Sequence, residues 1–132
     1  MKSICLLFLF LVISNFSFAD TAEQWIASGA DESKSLTIEI KGIDGGKIIN
    51  YYFIYDYGRR MNEHSEEMPP IYIKKIDSNC FRADIFDEQS GNKADVIMCM
   101  AGEKIYWAKI DDPLKTPYIP NYEIFIKKRI YK

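Results

Sequence analysis

The sequence predicts a mainly β fold of about seven antiparallel strands, arranged as a small sandwich or a partly open barrel. After residue 35, apolar and polar residues alternate with period two through most segments, as they do in strands with one buried face. Short turn-forming stretches separate these segments at hairpin spacing. Alternation and turns define the strands, but they do not distinguish a sandwich from a barrel.

The first nineteen residues have the form of a secretory signal peptide. One cation, Lys2, precedes an apolar run from Ile4 to Ile13. In Ser17-Phe18-Ala19, the small residues Ser17 and Ala19 lie at the positions that a signal peptidase recognises. The apolar run is shorter than the ~20 residues that a bilayer span needs, which disfavours a retained membrane anchor. We therefore expect a periplasmic or secreted protein with no membrane span after cleavage.

Removal of this segment leaves two of the three cysteines, Cys80 and Cys99. In an oxidising compartment such a pair is expected to form a disulfide, and a turn near residues 89–92 places the two cysteines opposite each other. The alternative is a pair of free or reactive thiols. A disulfide that closes a loop of this size stabilises a fold by roughly 3 kcal/mol.

Residues 71–110 are predicted to form a meander of four consecutive strands. Turns at residues 77–79, 89–92 and 101–102 each fix a register, and the registers can be compared. They predict the following opposed pairs: Ile71 with Ile85, Ile73 with Ala83, Phe81 with Met98, Ala83 with Val96, Met98 with Ile105, and Val96 with Trp107. All six pairs lie on one apolar face, so the three turns support each other.

The segment before the meander is predicted to hold an N-terminal arm and a hairpin. Residues 20–35 form an acidic arm or a short helix, because Thr21 and Gln24 have the spacing of a capping box. Residues 36–132 are expected to form a single β domain, which begins with a hairpin turning at Asp44-Gly45. That hairpin sets Leu36 opposite Phe53, Ile38 opposite Tyr51, and Ile40 opposite Ile49.

Two segments break the alternation and are predicted to be long loops. Residues 58–70 are charged and contain the single histidine of the chain, whereas residues 111–122 carry three prolines and two tyrosines. Prolines stiffen a segment and lower the entropy lost on binding, and exposed Tyr and Arg are good interface anchors. We predict a binding surface formed by Arg59, Arg60, Glu63, His64, Tyr118 and Tyr122. The alternative is that both loops only connect strands.

Charge and motif content disfavour several functions. Seventeen Lys and Arg stand against nineteen Asp and Glu, and no basic stripe is interleaved with aromatic residues, so nucleic acid is not an expected partner. One histidine beside carboxylates on a loop lacks the ligand set of a metal site. No phosphate-binding glycine loop or nucleophile elbow occurs. We expect no enzyme activity, no cofactor and no metal.

Two function classes remain. The first is a small protein-binding module, for instance an inhibitor or immunity-type protein that blocks a hydrolase or toxin, with a protein partner whose identity the sequence does not give. This expectation follows from size, compartment and β architecture alone. The alternative is a small-ligand carrier, in which Trp107 and the aromatic strand from Tyr51 to Tyr57 line an interior cavity.

Overall fold

The structure is a computed structural model that describes residues 22–29 and 31–129. The predicted signal peptide, residues 1–19, lies outside the described residues. Nine strands form one antiparallel sheet: β1 Ala22–Ala27, β2 Ser35–Ile43, β3 Gly46–Tyr55, β4 Arg60–His64, β5 Ile71–Lys75, β6 Cys80–Asp87, β7 Asn92–Ala101, β8 Lys104–Lys109 and β9 Tyr122–Lys127. A single 3₁₀ turn, Asp56–Gly58, is the one helical element in the described part of the chain.

Eight of the strands close into a barrel in the order β1, β9, β8, β7, β6, β5, β3, β2, because β2 pairs with both β3 and β1. The ninth, β4, adds to β3 beside β5. The mainly β, antiparallel prediction is confirmed, whereas neither the sandwich nor the partly open barrel is. Closure removes the free edges that an open sheet of this size would expose to other chains.

The predicted N-terminal helix is wrong, because Ala22–Ala27 is a strand that completes the barrel. Trp25 lies opposite Ile38 of β2 on one side and opposite Lys127 of β9 on the other. As a strand, β1 satisfies the backbone groups of both neighbouring edges, which a two-turn helix would leave unpaired. The same strand buries Trp25 and Ala27 in the core.

The predicted loop over residues 58–70 is wrong in its first half, because Arg60–His64 forms β4. This strand pairs with the second half of β3, from Tyr51 opposite His64 to Tyr55 opposite Arg60. Its buried side chains are Asn62 and His64, so it lacks the apolar alternation by which the other strands were predicted. With β1, it raises the strand number from seven to nine.

Most predicted registers are confirmed. Leu36 lies opposite Phe53, and Phe81 opposite Met98. The exception is β8, where Met98 lies opposite Trp107 and not opposite Ile105. The β7–β8 turn is Gly102-Glu103 and not Ala101-Gly102, because the left-handed residue, with φ of 61°, is Gly102. The register moves by two residues, so the apolar face is kept.

The interior of the barrel is filled by side chains that contact each other. The rings of Tyr51 and Phe53 stack at 5.0 Å, Phe53 meets Trp107 edge-on at 5.8 Å, and Trp107 contacts Phe125 at 5.5 Å. All four side chains are buried, together with Leu36, Ile38, Ile49, Ile85, Val96, Met98 and Ile105. Two of the aromatic residues expected to line a ligand cavity, Tyr51 and Trp107, are therefore part of a packed core.

The predicted disulfide between Cys80 and Cys99 is present and joins opposed residues of β6 and β7. Both cysteines lie on the face of the strands opposite to the buried Ala83 and Val96, so the bond is on the outside of the barrel. Among residues 22–29 and 31–129, no helix has the length and apolar character needed to cross a membrane.

Candidate functional site

Residues 111–121, here called the proline loop, cover the end of the barrel at which β6 and β8 finish. Ile119 and Pro120 are buried, and the indole Nε1 of Trp107 donates to the Pro120 carbonyl at 2.8 Å. As predicted, the loop has no regular secondary structure, since its prolines remove backbone donors. Ile119 therefore closes the core, and the rest of the loop lies above it.

Lys109, the last residue of β8, is buried beneath this loop and binds it from inside. Its ammonium donates to the carbonyls of Thr116 at 2.7 Å, Ile119 at 3.0 Å and Pro113 at 3.4 Å. Burial lowers the pKa of Lys109, because the charged form loses water. The three carbonyls replace part of the water that the ammonium loses. In return, one side chain supplies hydrogen bonds to three backbone acceptors of a loop that has few donors of its own.

The proline loop is also tied to the β6–β7 turn. The carboxylate of the buried Asp87 accepts the backbone N–H of Tyr118 at 3.2 Å and that of Gln89 at 2.9 Å. From the start of β7, the Asn92 amide donates to the Lys115 carbonyl at 3.0 Å. The loop backbone is therefore held at several points along its length.

Side chains close the barrel wall where β3 and β4 face the end of β6. The Tyr51 hydroxyl donates to the Phe86 carbonyl at 2.8 Å and accepts the Phe86 N–H at 3.1 Å. The Asn62 amide donates to the same carbonyl at 2.9 Å and accepts the Glu88 N–H at 3.1 Å. We call these four bonds the side-chain seam. Burial raises the pKa of Tyr51 to about 12.

On this fixed backbone, Leu114 is the most exposed large apolar side chain in the described part of the chain, at 86% of its accessible area. The Asp112 carboxylate accepts the Leu114 N–H at 3.0 Å, which holds the turn that carries the leucine. A large apolar side chain is thus presented to solvent by a loop whose backbone is hydrogen-bonded on both sides of it, at Pro113 and at Lys115.

The β3–β4 turn at the same end of the barrel has a strained backbone. Asp56, Tyr57 and Gly58 have φ values of 52°, 57° and 88°, and the left-handed conformation costs a non-glycine residue about 1–2 kcal/mol. The Tyr57 N–H donates to the Ser33 carbonyl at 3.0 Å, which helps to hold this conformation. The turn leaves the Tyr57 side chain 74% exposed.

The structure brings three of the six predicted binding residues to this end. The Arg60 guanidinium lies 5.8 Å from the centre of the Tyr118 ring, a cation–π distance, and Arg59 is exposed beside it on the turn. The Tyr118 ring in turn packs edge-on against Tyr55 at 5.5 Å. The ends of β3 and β4, on either side of this turn, are therefore in contact with the proline loop.

The other three predicted residues take no part in this contact. Glu63 is half-buried on β4, opposite Tyr52. His64 is buried, with Nδ1 3.0 Å from Asn50 Oδ1 and Nε2 2.8 Å from the Pro69 carbonyl, so its ring fixes the chain after β4. Tyr122 is exposed directly after the proline loop, at the start of β9, but its side chain lies on the outer wall of the barrel.

Two exposed residues of this surface, Leu114 and Tyr57, were not predicted. Leu114 had a sequence signal, since it is an apolar residue directly after Asp112-Pro113 in a segment of turn-forming residues. Tyr57 had none, because it continues the aromatic pattern of β3 and looks like one more strand residue. Within the described residues, no cluster of three or more His, Cys, Asp or Glu side chains could hold a metal ion.

Comparison with known proteins leaves this surface as the main guide to function. No protein-family model, curated protein sequence or solved structure matches the chain.

Proposed function

We propose that the protein is a small secreted or periplasmic protein-binding module, of the inhibitor or immunity type that blocks a hydrolase or toxin. It binds its partner with the barrel end formed by the proline loop and the β3–β4 turn. The observation that carries this proposal is the exposed Leu114 on a loop whose backbone is bonded to Lys109, Asp87 and Asn92.

The backbone of the proline loop is already held in place before a partner binds. An exposed leucine on a mobile loop is ordinary, because surfaces carry many single apolar residues. Ordering a mobile loop during binding costs free energy, whereas a loop that is already fixed keeps that energy for affinity. Leu114 therefore has the position and the support expected of an anchor side chain that enters an apolar pocket.

The side chains around the β3–β4 turn fit the same role. Tyr57 and Arg59 are exposed, and Tyr and Arg are the residue types that most often carry binding energy at interfaces. Arg59 forms no ion pair among the described residues, so its guanidinium is open to a carboxylate on a partner. A partner with an apolar pocket bordered by acidic groups would match this end of the barrel.

An inhibitor is the favoured kind of binding module because the loop presents Leu114 to solvent at one end of the barrel. Active-site clefts are concave and mostly apolar, and a stiff projecting loop is complementary to them. The disulfide and the packed core would keep such a module folded outside the cytoplasm, where disulfides persist.

The test is capture of a partner by the purified oxidised protein from periplasmic extract and medium of the producing cells and their competitors. Leu114→Ala should raise the dissociation constant of the captured complex by about 30-fold or more, the loss typical of a buried anchor. The matched control is Ile76→Ala, because Ile76 is also exposed but follows β5 at the opposite end of the barrel. Equal binding by both variants, or the absence of any protein partner, would reject the proposal.

A further inference from the structure

A second surface, on the outer wall of the barrel, is apolar across four neighbouring strands. Tyr106 of β8 lies opposite Ile124 of β9, and Ile126 of β9 lies opposite Ile26 of β1. The large side chains of this apolar face are Ile26, Ile97, Tyr106, Tyr122, Ile124 and Ile126. Tyr106, Ile124 and Ile126 are 48%, 37% and 41% exposed, although they point away from the core.

The outer wall at β2 and β6 is different. The outward residues of β2 and β6 include Glu39 and Lys41, and Arg82 and Asp84. These charges are what a solvated barrel wall is expected to carry. A continuous apolar area across four neighbouring strands is typical of an interaction surface.

Unlike charges border the two ends of the apolar face. Lys104 and Lys128 are exposed at the end where β8 begins and β9 finishes, and Asp111 and Asp112 are exposed just beyond the end of β8. None of these four residues takes part in an ion pair among the described residues. A basic end and an acidic end on one face are complementary to the same face turned through 180°.

We propose that a second copy of this chain covers the apolar face in a two-fold symmetric dimer. In a two-fold interface the same surface is used by both protomers, so residue i contacts residue j and j contacts i. An axis between the two faces that crosses β8 between Tyr106 and Ala108 places Lys104 of one protomer near Asp111 of its partner. The same axis sets Tyr106 and Ile124 of one protomer against the adjacent Ala108 and Tyr122 of its partner.

The dimer uses a different surface from the proposed partner-binding surface, and the two meet at the start of the proline loop, where Asp111 and Asp112 lie. The apolar face is on the wall formed by β1, β9, β8 and β7, whereas Leu114 and Tyr57 lie at one end of the barrel. Tyr106→Glu changes only the apolar face and Leu114→Ala changes only the barrel end, so the two variants test the two proposals separately. Failure of either proposal would leave the other standing.

Sedimentation over a range of concentrations of the purified oxidised protein tests the dimer. Tyr106→Glu should raise the dimer dissociation constant by about 30-fold or more, because it places a charge at the centre of the apolar face. The matched control is Tyr72→Glu, since Tyr72 is 54% exposed on the outer wall at β5 and should leave dissociation unchanged.

A charge exchange tests the orientation. Lys104→Glu alone should weaken the dimer about 3- to 10-fold, and the added Asp111→Lys should restore it, with both effects reduced at high salt. A protein that stays monomeric at its highest soluble concentration overturns the proposal. A dimer that Tyr106→Glu leaves intact also overturns it. So does a monomer that binds a different protein through this face and no longer binds it in the Tyr106→Glu variant.

Discussion

The two sides of this barrel are built in different ways. From β6 to β8 the wall is a continuous backbone ladder with apolar residues inside and a disulfide outside. Where β4 faces the end of β6, the wall is held by the side-chain seam, in which Tyr51 and Asn62 bind Phe86 and Glu88. The first construction stabilises the fold, and the second also fixes the surface that we propose to be functional.

The polar side fixes that surface through shared residues. The Asn62 amide, which is part of the seam, also donates to the Tyr118 carbonyl of the proline loop at 3.4 Å. The Asp87 carboxylate accepts the Tyr118 N–H. Buried polar groups that are fully bonded specify one geometry, because any other arrangement leaves some of them unpaired. We therefore expect replacements in the ladder to lower stability, and replacements on the polar side to disturb the proline loop as well.

The largest expected effect is on the ladder side. Replacing Cys80 and Cys99 together by Ser should lower the free energy of unfolding by about 3 kcal/mol, because the unfolded chain regains the freedom of the closed loop. Chemical denaturation measures the loss. Binding through Leu114 should persist under native conditions, since the bond lies on the outer wall away from the proline loop. Loss of binding in the folded double variant would show that the two sides are not separable.

A smaller loss of stability is expected for Lys109→Met on the polar side, of about 2 kcal/mol. Methionine fills a similar volume but leaves the carbonyls of Thr116 and Ile119 without a donor. In contrast to the disulfide variant, it should also increase hydrogen exchange in the proline loop and weaken partner binding. An unchanged exchange rate in residues 112–119 would contradict the role given to Lys109.

The smallest expected effect is that of Tyr51→Phe, which lowers stability by about 1 kcal/mol at neutral pH because the Phe86 N–H loses its acceptor. The effect should depend on pH. Tyrosine ionises near pH 10 in the unfolded chain, whereas burial raises the pKa of Tyr51 to about 12 in the folded protein.

The stability that Tyr51 contributes is expected to fall as the pH rises above 10. The unfolded state releases its proton first, so the contribution of Tyr51 is complete below pH 10 and is lost as the pH rises toward 12. The wild-type protein should therefore lose more stability over this range than Tyr51→Phe, as measured by denaturation at each pH. Parallel stability curves for the two proteins would contradict the buried, bonded state of this hydroxyl.

The same comparison explains how much of the fold could be predicted. On the ladder side, alternation and turn residues were enough to place Cys80 opposite Cys99. The register between β7 and β8 was predicted wrongly there, because the sequence does not say whether Gly102 is the first or the second residue of its turn. On the polar side, β4 was missed because its buried residues, Asn62 and His64, are polar and take their partners from distant segments.

Long-range contacts limit the prediction of the site in the same way. Leu114 and Ile119 are both apolar residues of the proline loop, yet one is exposed and the other is buried in the core. Nothing local distinguishes them, since the difference depends on where Lys109 and Asp87 hold the loop over the barrel. The strand β1 was missed for the same reason, because its conformation depends on its pairing with the edges of β2 and β9.

The central claim is that the fixed proline loop presents Leu114 to a protein partner, and photo-crosslinking in the producing cells tests it most directly. A photoreactive amino acid would replace Leu114 in one variant and Ile76, exposed at the opposite end, in another. We expect one dominant covalent adduct from position 114 and none of that mass from position 76. Adducts of equal yield from both positions, or none from position 114, would contradict the claim.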